Sequence, residues 1–565
     1  MFSTKRAMMI LASMGAAGAA LMSTPTSGAQ ADCPAPEFMA RADVRGLGLA
    51  EVDRDGVDVS VYGFAEYPGE CVTEETIFEA ASLTKPVVAY LTLRLVDQGR
   101  LGLDDALVER LPSLPLPADD PRSARVTMRM ALAHSTGLRG SDDGELSFIA
   151  APGETFRYYP AGYRLVQRVV EHVEGATLEE LAQREVFGPL GMTNSSLVFR
   201  VDLLDRIATR HRMLGDPFQR RRDPARPANA AASLITTPGD YGRFLRAMLT
   251  GEGLSPGSLN AMLTPNVTVP DTEGSVAWGV GWGLEPTSGT FFHWGDDGST
   301  KCFTMGSREA GRAFVYLTNS YYGMAIAGEI AAQQLPGEHP SIGWLGYGAW
   351  DSPDRLARRD VVRDFVEGSA DLGMQTLERY ERDYPDLDMD GVAGFAVWIL
   401  GGRGKHDGRA RLLAWRIERQ PDNVDLYLDR VQSLREIGDD DVALETLSIA
   451  MDRAGEARSE SIANRISWIQ DEIIAGRADE RGTPPDPAAL AGTYGERRVR
   501  VEEGRLVYQR GDRPRHTIRW MHGTTYAFEA LDWFRVRFVL EDGRAVKLIA
   551  LYADGRSDES PRSGP

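Results

Sequence analysis

A chain of 565 residues is too long for one hydrophobic core, so it must divide into several domains. Its 42% hydrophobic and 26% charged content is that of folded, water-soluble protein and excludes a disordered or low-complexity chain. A net charge of −19 opposes nucleic acid or an anionic membrane surface as a partner, and three cysteines without zinc-ligand spacing exclude a disulfide-built or zinc-ribbon scaffold.

The N-terminus has the layout of a secretory signal. Lys5 and Arg6 precede an apolar stretch from Ala7 to Met22, and Ala29-Gln30-Ala31 supplies small residues for cleavage. Residues 1–31 are therefore expected to leave as a signal peptide, delivering an exported protein to the periplasm or the medium. Loss of Lys5 and Arg6 takes the charge two further, to −21. No later segment is apolar enough over its length to span a membrane. In an oxidising compartment Cys33 and Cys71 are free to pair, though sequence leaves the pairing open.

From Val44 to Phe64 the chain reads as a hairpin, with Val57, Val59 and Val61 alternating after the turn Asp53-Arg54-Asp55-Gly56. The segment Phe78-Glu79-Ala80-Ala81-Ser82-Leu83-Thr84-Lys85-Pro86 then opens a helical run from Val87 to Gly99, with Leu91 and Leu95 on one face. A Pro- and Asp-rich loop follows from Leu111 to Arg122, and a helix carrying Met128, Leu132 and His134 is predicted to end at Gly137. His134 reads as a packing or hydrogen-bonding histidine. Pro152-Gly153 turns the chain towards Tyr158, and Gly162-Tyr163 leads into an amphipathic helix with Leu165, Val166, Val169 and Val170. The basic stretch Arg206 to Arg226, with Arg220, Arg221 and Arg222 together, reads as a solvated loop, or alternatively as a lip meeting anionic substrates. Thr237-Pro238-Gly239-Asp240 caps a further helix. Gly- and Trp-rich strands come next, Trp278 to Gly283 and Phe291 to Gly295, and Ala313 to Leu317 reads as a buried strand. Strands at both ends of a helical middle imply one sheet made from both termini of the domain, residues 32–350.

Residues 351–480 turn helical. Asp407-Gly408-Arg409-Ala410 and Asp440-Asp441-Val442-Ala443 lie 33 residues apart, the period of tetratricopeptide-like helix pairs, which offer a surface for a protein partner. After the linker Thr483-Pro484-Pro485-Asp486-Pro487, residues 481–565 carry short strands at 498–501, 505–509, 526–530, 534–539 and 546–551, a small antiparallel β domain.

Ser82 and Lys85 stand one helical turn apart, where an amine can meet a hydroxyl. A serine needs such a base to become a nucleophile. Ser-x-x-Lys also arises by chance, so its partners decide. Here Tyr158 stands five residues before Tyr163, and His293-x-Gly295 follows in a strand. With these motifs in this order over residues 40 to 330, the chain resembles the class C β-lactamase family, which also holds D-Ala-D-Ala peptidases, D-aminopeptidases and esterases. Leu132 to Leu138 and Pro189-Leu190-Gly191-Met192 support the likeness.

The resemblance implies an α+β fold, an antiparallel sheet flanked by helices with a helical subdomain. It implies that Ser82 forms an acyl-enzyme with an ester, amide or D-peptide substrate, with Lys85 or Tyr158 as the base. A phenol titrates near 10, and a lysine cation beside it would lower that value. The backbone N–H groups of Ser82 and Asp296 would form the oxyanion hole. His293, before Gly295, stands where the family often has lysine, and no metal or cofactor is required. Where the family tyrosine is usually followed by Ser-Asn or Ala-Asn, this chain has Tyr158-Tyr159-Pro160. Pro160 lacks a side-chain amide and a backbone N–H, so amide recognition and the placement of Lys85 must be arranged differently. The expected activity is esterase-like, with β-lactamase or D-amino-acid peptidase as the alternative and a weakly active binding protein as a third reading.

Overall fold

The computed structural model describes residues 33–140, 146–218, 222–453, 460–477 and 479–563. The segment expected to be a signal peptide, residues 1–31, and Arg220-Arg221 lie outside them. Two compact units are present, one ending at Leu356 and the other beginning at Ala357.

The first unit is built on an eight-stranded antiparallel sheet. Its strands are β1 (Gly46–Asp53), β2 (Val57–Gly63), β5 (Val267–Thr268), β6 (Ala277–Trp278), β7 (Gly283–Glu285), β8 (Thr290–Asp296), β9 (Lys301–Ser307) and β10 (Arg312–Thr318). Their order is β2-β1-β10-β9-β8-β7-β6-β5, so the first hairpin pairs with the last strand, Leu49 opposite Tyr316. Alternation buries both faces. Ala50, Val52, Val315 and Leu317 join one apolar core, and Leu47, Leu49, Phe314 and Tyr316 join the other.

Helix α1 (Thr84–Asp97) and helix α4 (Pro238–Thr250) belong to the first of these cores. The sequence pattern gave α1 a single apolar face, but every residue from Thr84 to Leu93 is buried, so α1 is a central helix enclosed on all sides. Helix α2 (Met128–Leu132) stops earlier than expected, because His134 takes a left-handed φ of 56°. Helix α3 (Pro160–Glu174) starts earlier: Pro160 is its first residue, a position where its missing N–H costs nothing. Cys33 and Cys71 form a disulfide that ties the N-terminal segment to the loop after β2.

The second unit begins inside the helix Pro353–Arg363 and continues with helices at Ala370–Asp383, Met389–Gly402, His406–Arg419, Val424–Glu436, Asp440–Arg453 and Glu460–Gly476. It ends in a closed antiparallel barrel of eight strands: β11 (Gly492–Tyr494), β12 (Arg497–Glu502), β13 (Arg505–Arg510), β14 (His516–His522), β15 (Thr525–Phe528), β16 (Phe534–Glu541), β17 (Arg544–Tyr552) and β18 (Ser557–Ser563). Three of these, β11, β14 and β18, are additional to the strands expected from sequence.

The boundary carries a prediction. Arg355 is buried, donates to the carbonyls of Trp350 and Ala42, and lies over the Tyr322 ring. A chain ending after Leu356 should therefore fold with a cooperative thermal transition. A chain ending at Trp350 should melt lower, because it loses that guanidinium. Circular dichroism melts of both chains check this.

Candidate active site

Strand β3 (Phe78–Ala81) pairs with β4 (Leu234–Thr236) through a register shift between Glu79 and Ala81. Ala81 has a φ of 46°, a left-handed conformation that disfavours an L side chain. This strained residue turns the chain so that Ser82 stands at the corner between β3 and α1. Thr84 fastens the corner, its hydroxyl donating to the Ala81 carbonyl (2.6 Å) and accepting from the Leu234 N–H (2.9 Å).

Lys85, in the first turn of α1, is fully buried and points back at the serine. Its Nζ donates to Ser82 Oγ at 2.9 Å and to the Ala231 carbonyl at 2.8 Å. The Tyr158 and Tyr163 rings stand 4.9 and 5.7 Å from the same nitrogen. The placement of Lys85, one of the two questions raised by Pro160, is thus met by the backbone, with the Ala231 carbonyl holding the lysine. No sequence signal marks that carbonyl, since any residue would supply it. Pro160 itself is exposed at the start of α3.

The electrostatics reverse the expectation for the Tyr158 phenol. Burial, helped by the Arg164 charge, lowers the Lys85 pKa from 10.5 to about 7. Burial also pushes the Tyr158 phenol well above its ordinary range, against the smaller opposing influence of the Ser82 hydroxyl. The tyrosine was expected to be lowered by a lysine cation, but that cation is itself destabilised by the same dry surroundings. The buried Tyr158 hydroxyl faces Ser82 without a full hydrogen bond to any described residue.

His134 fixes the tyrosine segment, as its structural reading anticipated, but it does more than fill space. Its carbonyl accepts from the Arg157 N–H (2.8 Å), its Nδ1 accepts from the Tyr159 N–H (2.9 Å), and its ring lies 4.4 Å from the Tyr158 ring. Both neighbours of Tyr158 are therefore tied to one residue. His134→Ala should lower kcat for an ester about tenfold or more with little change in KM, because misplacing a reacting group is costly. His134→Asn should restore most of the loss, since its side-chain oxygen can accept the Tyr159 N–H and asparagine tolerates a left-handed φ. In a Tyr158→Phe background His134→Ala should cost nothing further, an outcome that a general loss of stability would not give.

Across the cleft, β8 brings His293, Gly295 and Asp296 alongside β3. A Cβ on Gly295 would sit 2.3 Å from the Ala80 carbonyl oxygen, so only glycine lets the strand approach this closely. The Asp296 carboxylate is occupied by Lys301 (2.6 Å) and the Tyr347 hydroxyl (2.7 Å). His293 is fully buried. Its Nδ1 donates to the Trp294 carbonyl (2.8 Å), which sets the neutral tautomer, and burial with the Lys85 charge lowers its pKa to about 3. It is an uncharged wall residue at physiological pH.

Sequence reasoning missed the network behind the nucleophile. Arg210, with a side chain only 4% exposed, forms a two-pronged ion pair with Glu79 (2.9 and 2.6 Å) and reaches the Asp297 carboxylate (2.7 Å). It ties β3, three residues before Ser82, to the turn after β8. Arg206 pairs with Glu75, and Arg222 donates to the Ala208 carbonyl. Arg206, Arg210 and Arg222 thus brace the unit, whereas Arg212 and Arg226 are exposed as a solvated loop predicts.

A sequence-family model described as Beta-lactamase matches residues 35–336, more than half of the chain. The chain belongs to the β-lactamase family. It is 28% identical to a Mycobacterium tuberculosis protein over 253 residues, a match covering 35% of this chain and 62% of that relative's length. It is 26% identical to penicillin-binding protein 4 of Amycolatopsis lactamdurans over 312 residues, covering 47% of this chain and 81% of the relative. Lovastatin esterase of Penicillium rubens is 28% identical over 279 residues, covering 40% and 68%. Among solved structures, the hydrolase EstCE1, described as having promiscuous acyltransferase activity, aligns with a TM-score of 0.47 at 20% identity, covering 53% of this chain and 96% of that one. As a β-lactamase-family protein with esterases and penicillin-binding proteins among its relatives, the chain is a hydrolase-family member whose sheet, helices and C-terminal barrel match the α+β reading of its sequence.

Proposed function

We propose that this protein is an exported serine hydrolase that cleaves uncharged esters through an acyl-enzyme on Ser82. The observation that carries the reading is the 2.9 Å bond between Ser82 Oγ and a lysine whose pKa lies near 7. A neutral Lys85 accepts the serine proton as Ser82 attacks the ester carbonyl. The backbone N–H groups of Ser82 and Asp296 receive the developing oxyanion, on strands held together by Gly295 and by Arg210. Tyr158, kept protonated by burial, then gives its proton to the leaving alkoxide and regains one from the Lys85 ammonium, which returns to the neutral amine. Water attacks the acyl-enzyme with Lys85 again as base, releasing the acid and restoring the serine.

The neutral His293 and the missing amide at Pro160 favour esters over substrates bearing a carboxylate and a side-chain amide. A second reading, as a β-lactamase or D-amino-acid peptidase, is favoured by the relative named penicillin-binding protein. The Cys33–Cys71 disulfide supports export, because such bonds persist in oxidising compartments. The helix pairs of residues 351–480 are read as tetratricopeptide-like and able to dock a protein. The direct experiment is hydrolysis of short-chain aryl esters by purified protein beside Ser82→Ala. Turnover by the wild type alone supports the reading, and equal rates in both refute it.

A further inference from the structure

The C-terminal barrel has two unlike ends. One is closed by two-residue hairpins, Glu503-Gly504, Gly523-Thr524 and Asp542-Gly543. At the other, longer connections leave β13, β15 and β17, running through residues 511–515, 529–533 and 553–556. The first two of these loops, with the strand ends beside them, line a cavity of about 220 Å³ at the barrel mouth. Mouths of small barrels are a recurrent place for ligands.

Its wall is a continuous set of rings. Phe528 packs on Tyr508 (5.0 Å) and Phe534 (4.7 Å), and Phe534 on Tyr552 (5.0 Å). Trp533 is half exposed and stacks over Tyr552 at the rim. A polar group waits inside this apolar wall. Tyr508 is only 4% exposed, and its buried hydroxyl donates to no acceptor among the described residues. The group beside it is the Arg497 guanidinium, itself a donor and already bound to Asp558 and Ser560. The Tyr508 proton thus lacks an acceptor, and a buried unmade bond of this kind is costly.

The charges lining the cavity are cationic. Arg510 shares its charge with Glu496 at 3.5 Å, whereas Arg513, exposed in the 511–515 turn, has no carboxylate partner among the described residues. Asp512, Glu529 and Asp532 occupy the same loops but do not line the cavity.

We propose that this mouth binds a small monocarboxylate with an aryl or short alkyl body. The body would lie against the Phe528–Phe534–Tyr552 wall, and the carboxylate would accept from the Tyr508 hydroxyl and pair with Arg513. The site is separate from Ser82 and does not depend on the hydrolytic reading.

The test is titration calorimetry on the full-length Ser82→Ala protein with 4-phenylbutyrate, 4-phenylbutylamine and 4-phenylbutanol. The carboxylate should bind saturably at one site, with the amine and alcohol weaker by about tenfold or more. Arg513→Glu, an exposed change that the fold tolerates, should abolish carboxylate binding. In the Ser82-containing chain the same change should leave ester turnover unaltered. Tyr508→Phe should weaken the carboxylate several-fold and the alcohol less. The proposal is overturned by absence of saturable binding in the millimolar range, by an amine that binds as well as the acid, or by carboxylate binding that survives Arg513→Glu.

Discussion

Replacing Lys85 by methionine should lower kcat/KM for an aryl ester by about 10²–10⁴-fold, the range over which a positioned general base acts. In the wild type, kcat/KM should rise with pH and level off above about 7, because only the neutral amine can take the Ser82 proton. That ascent should vanish in Lys85→Met. The same substitution should stabilise the fold. Free lysine holds its proton to about 10.5 and the buried one releases it near 7, so between those values the unfolded chain binds the extra proton. The penalty is therefore full below pH 7, on the order of 4 to 5 kcal/mol by the size of the displacement, and is gone above about 10.5. Lys85→Met should accordingly raise Tm most at pH 6 and little at pH 10. A variant that loses activity while melting higher separates catalytic loss from misfolding. If the rate ascent through pH 7 persisted in Lys85→Met, another group would be the base.

Short-chain aryl esters should be turned over at least about 10²-fold more efficiently, in kcat/KM, than penicillins or cephalosporins. Two features of the cleft argue for this. A β-lactam presents a carboxylate, yet His293 is buried and its pKa of about 3 leaves it uncharged near pH 7. A β-lactam also presents a side-chain amide, yet position 160 is a proline with neither amide nor N–H. An aryl ester asks for neither contact, and its phenoxide leaves more readily than an amine. Pro160→Asn tests the second feature. The position is exposed at the first residue of α3, so the substitution should fold and should raise β-lactam kcat/KM about tenfold while changing the ester value less. Steady-state rates on both substrate classes check both statements. A β-lactam value above the ester value would make lactamase or peptidase the primary activity.

Much of the candidate site could be read from local spacing. Ser82 and Lys85 lie within one turn, and Tyr158 is bracketed by Pro152-Gly153 and Gly162-Tyr163. What escaped was either backbone chemistry or long-range pairing. The Ala231 carbonyl that holds Lys85 lies 146 residues away from it and has no side-chain signature. Arg210 and Glu79 are 131 residues apart, and an arginine in a basic loop reads as solvated until the sheet shows what it faces. The choice between Lys85 and Tyr158 as base stayed open for a related reason: sequence shows a lysine beside a phenol, but burial decides which of them gives way. The same holds for fold. The hairpin from Val44 to Phe64 was legible from alternating valines and a turn, whereas β18, with acidic residues and Pro561, has no strand pattern of its own. Pairing with β11 and β17 closes the barrel and overrides that local preference.

The most direct measurement of the central claim is the intact mass of the protein during turnover of a slowly deacylating p-nitrophenyl ester, with peptide mapping of the adduct. The account predicts a single added acyl group on the peptide containing Ser82, present in the wild type, slowed in Lys85→Met and absent in Ser82→Ala. An acyl group found on another residue, or ester turnover undiminished in folded Ser82→Ala, would contradict it.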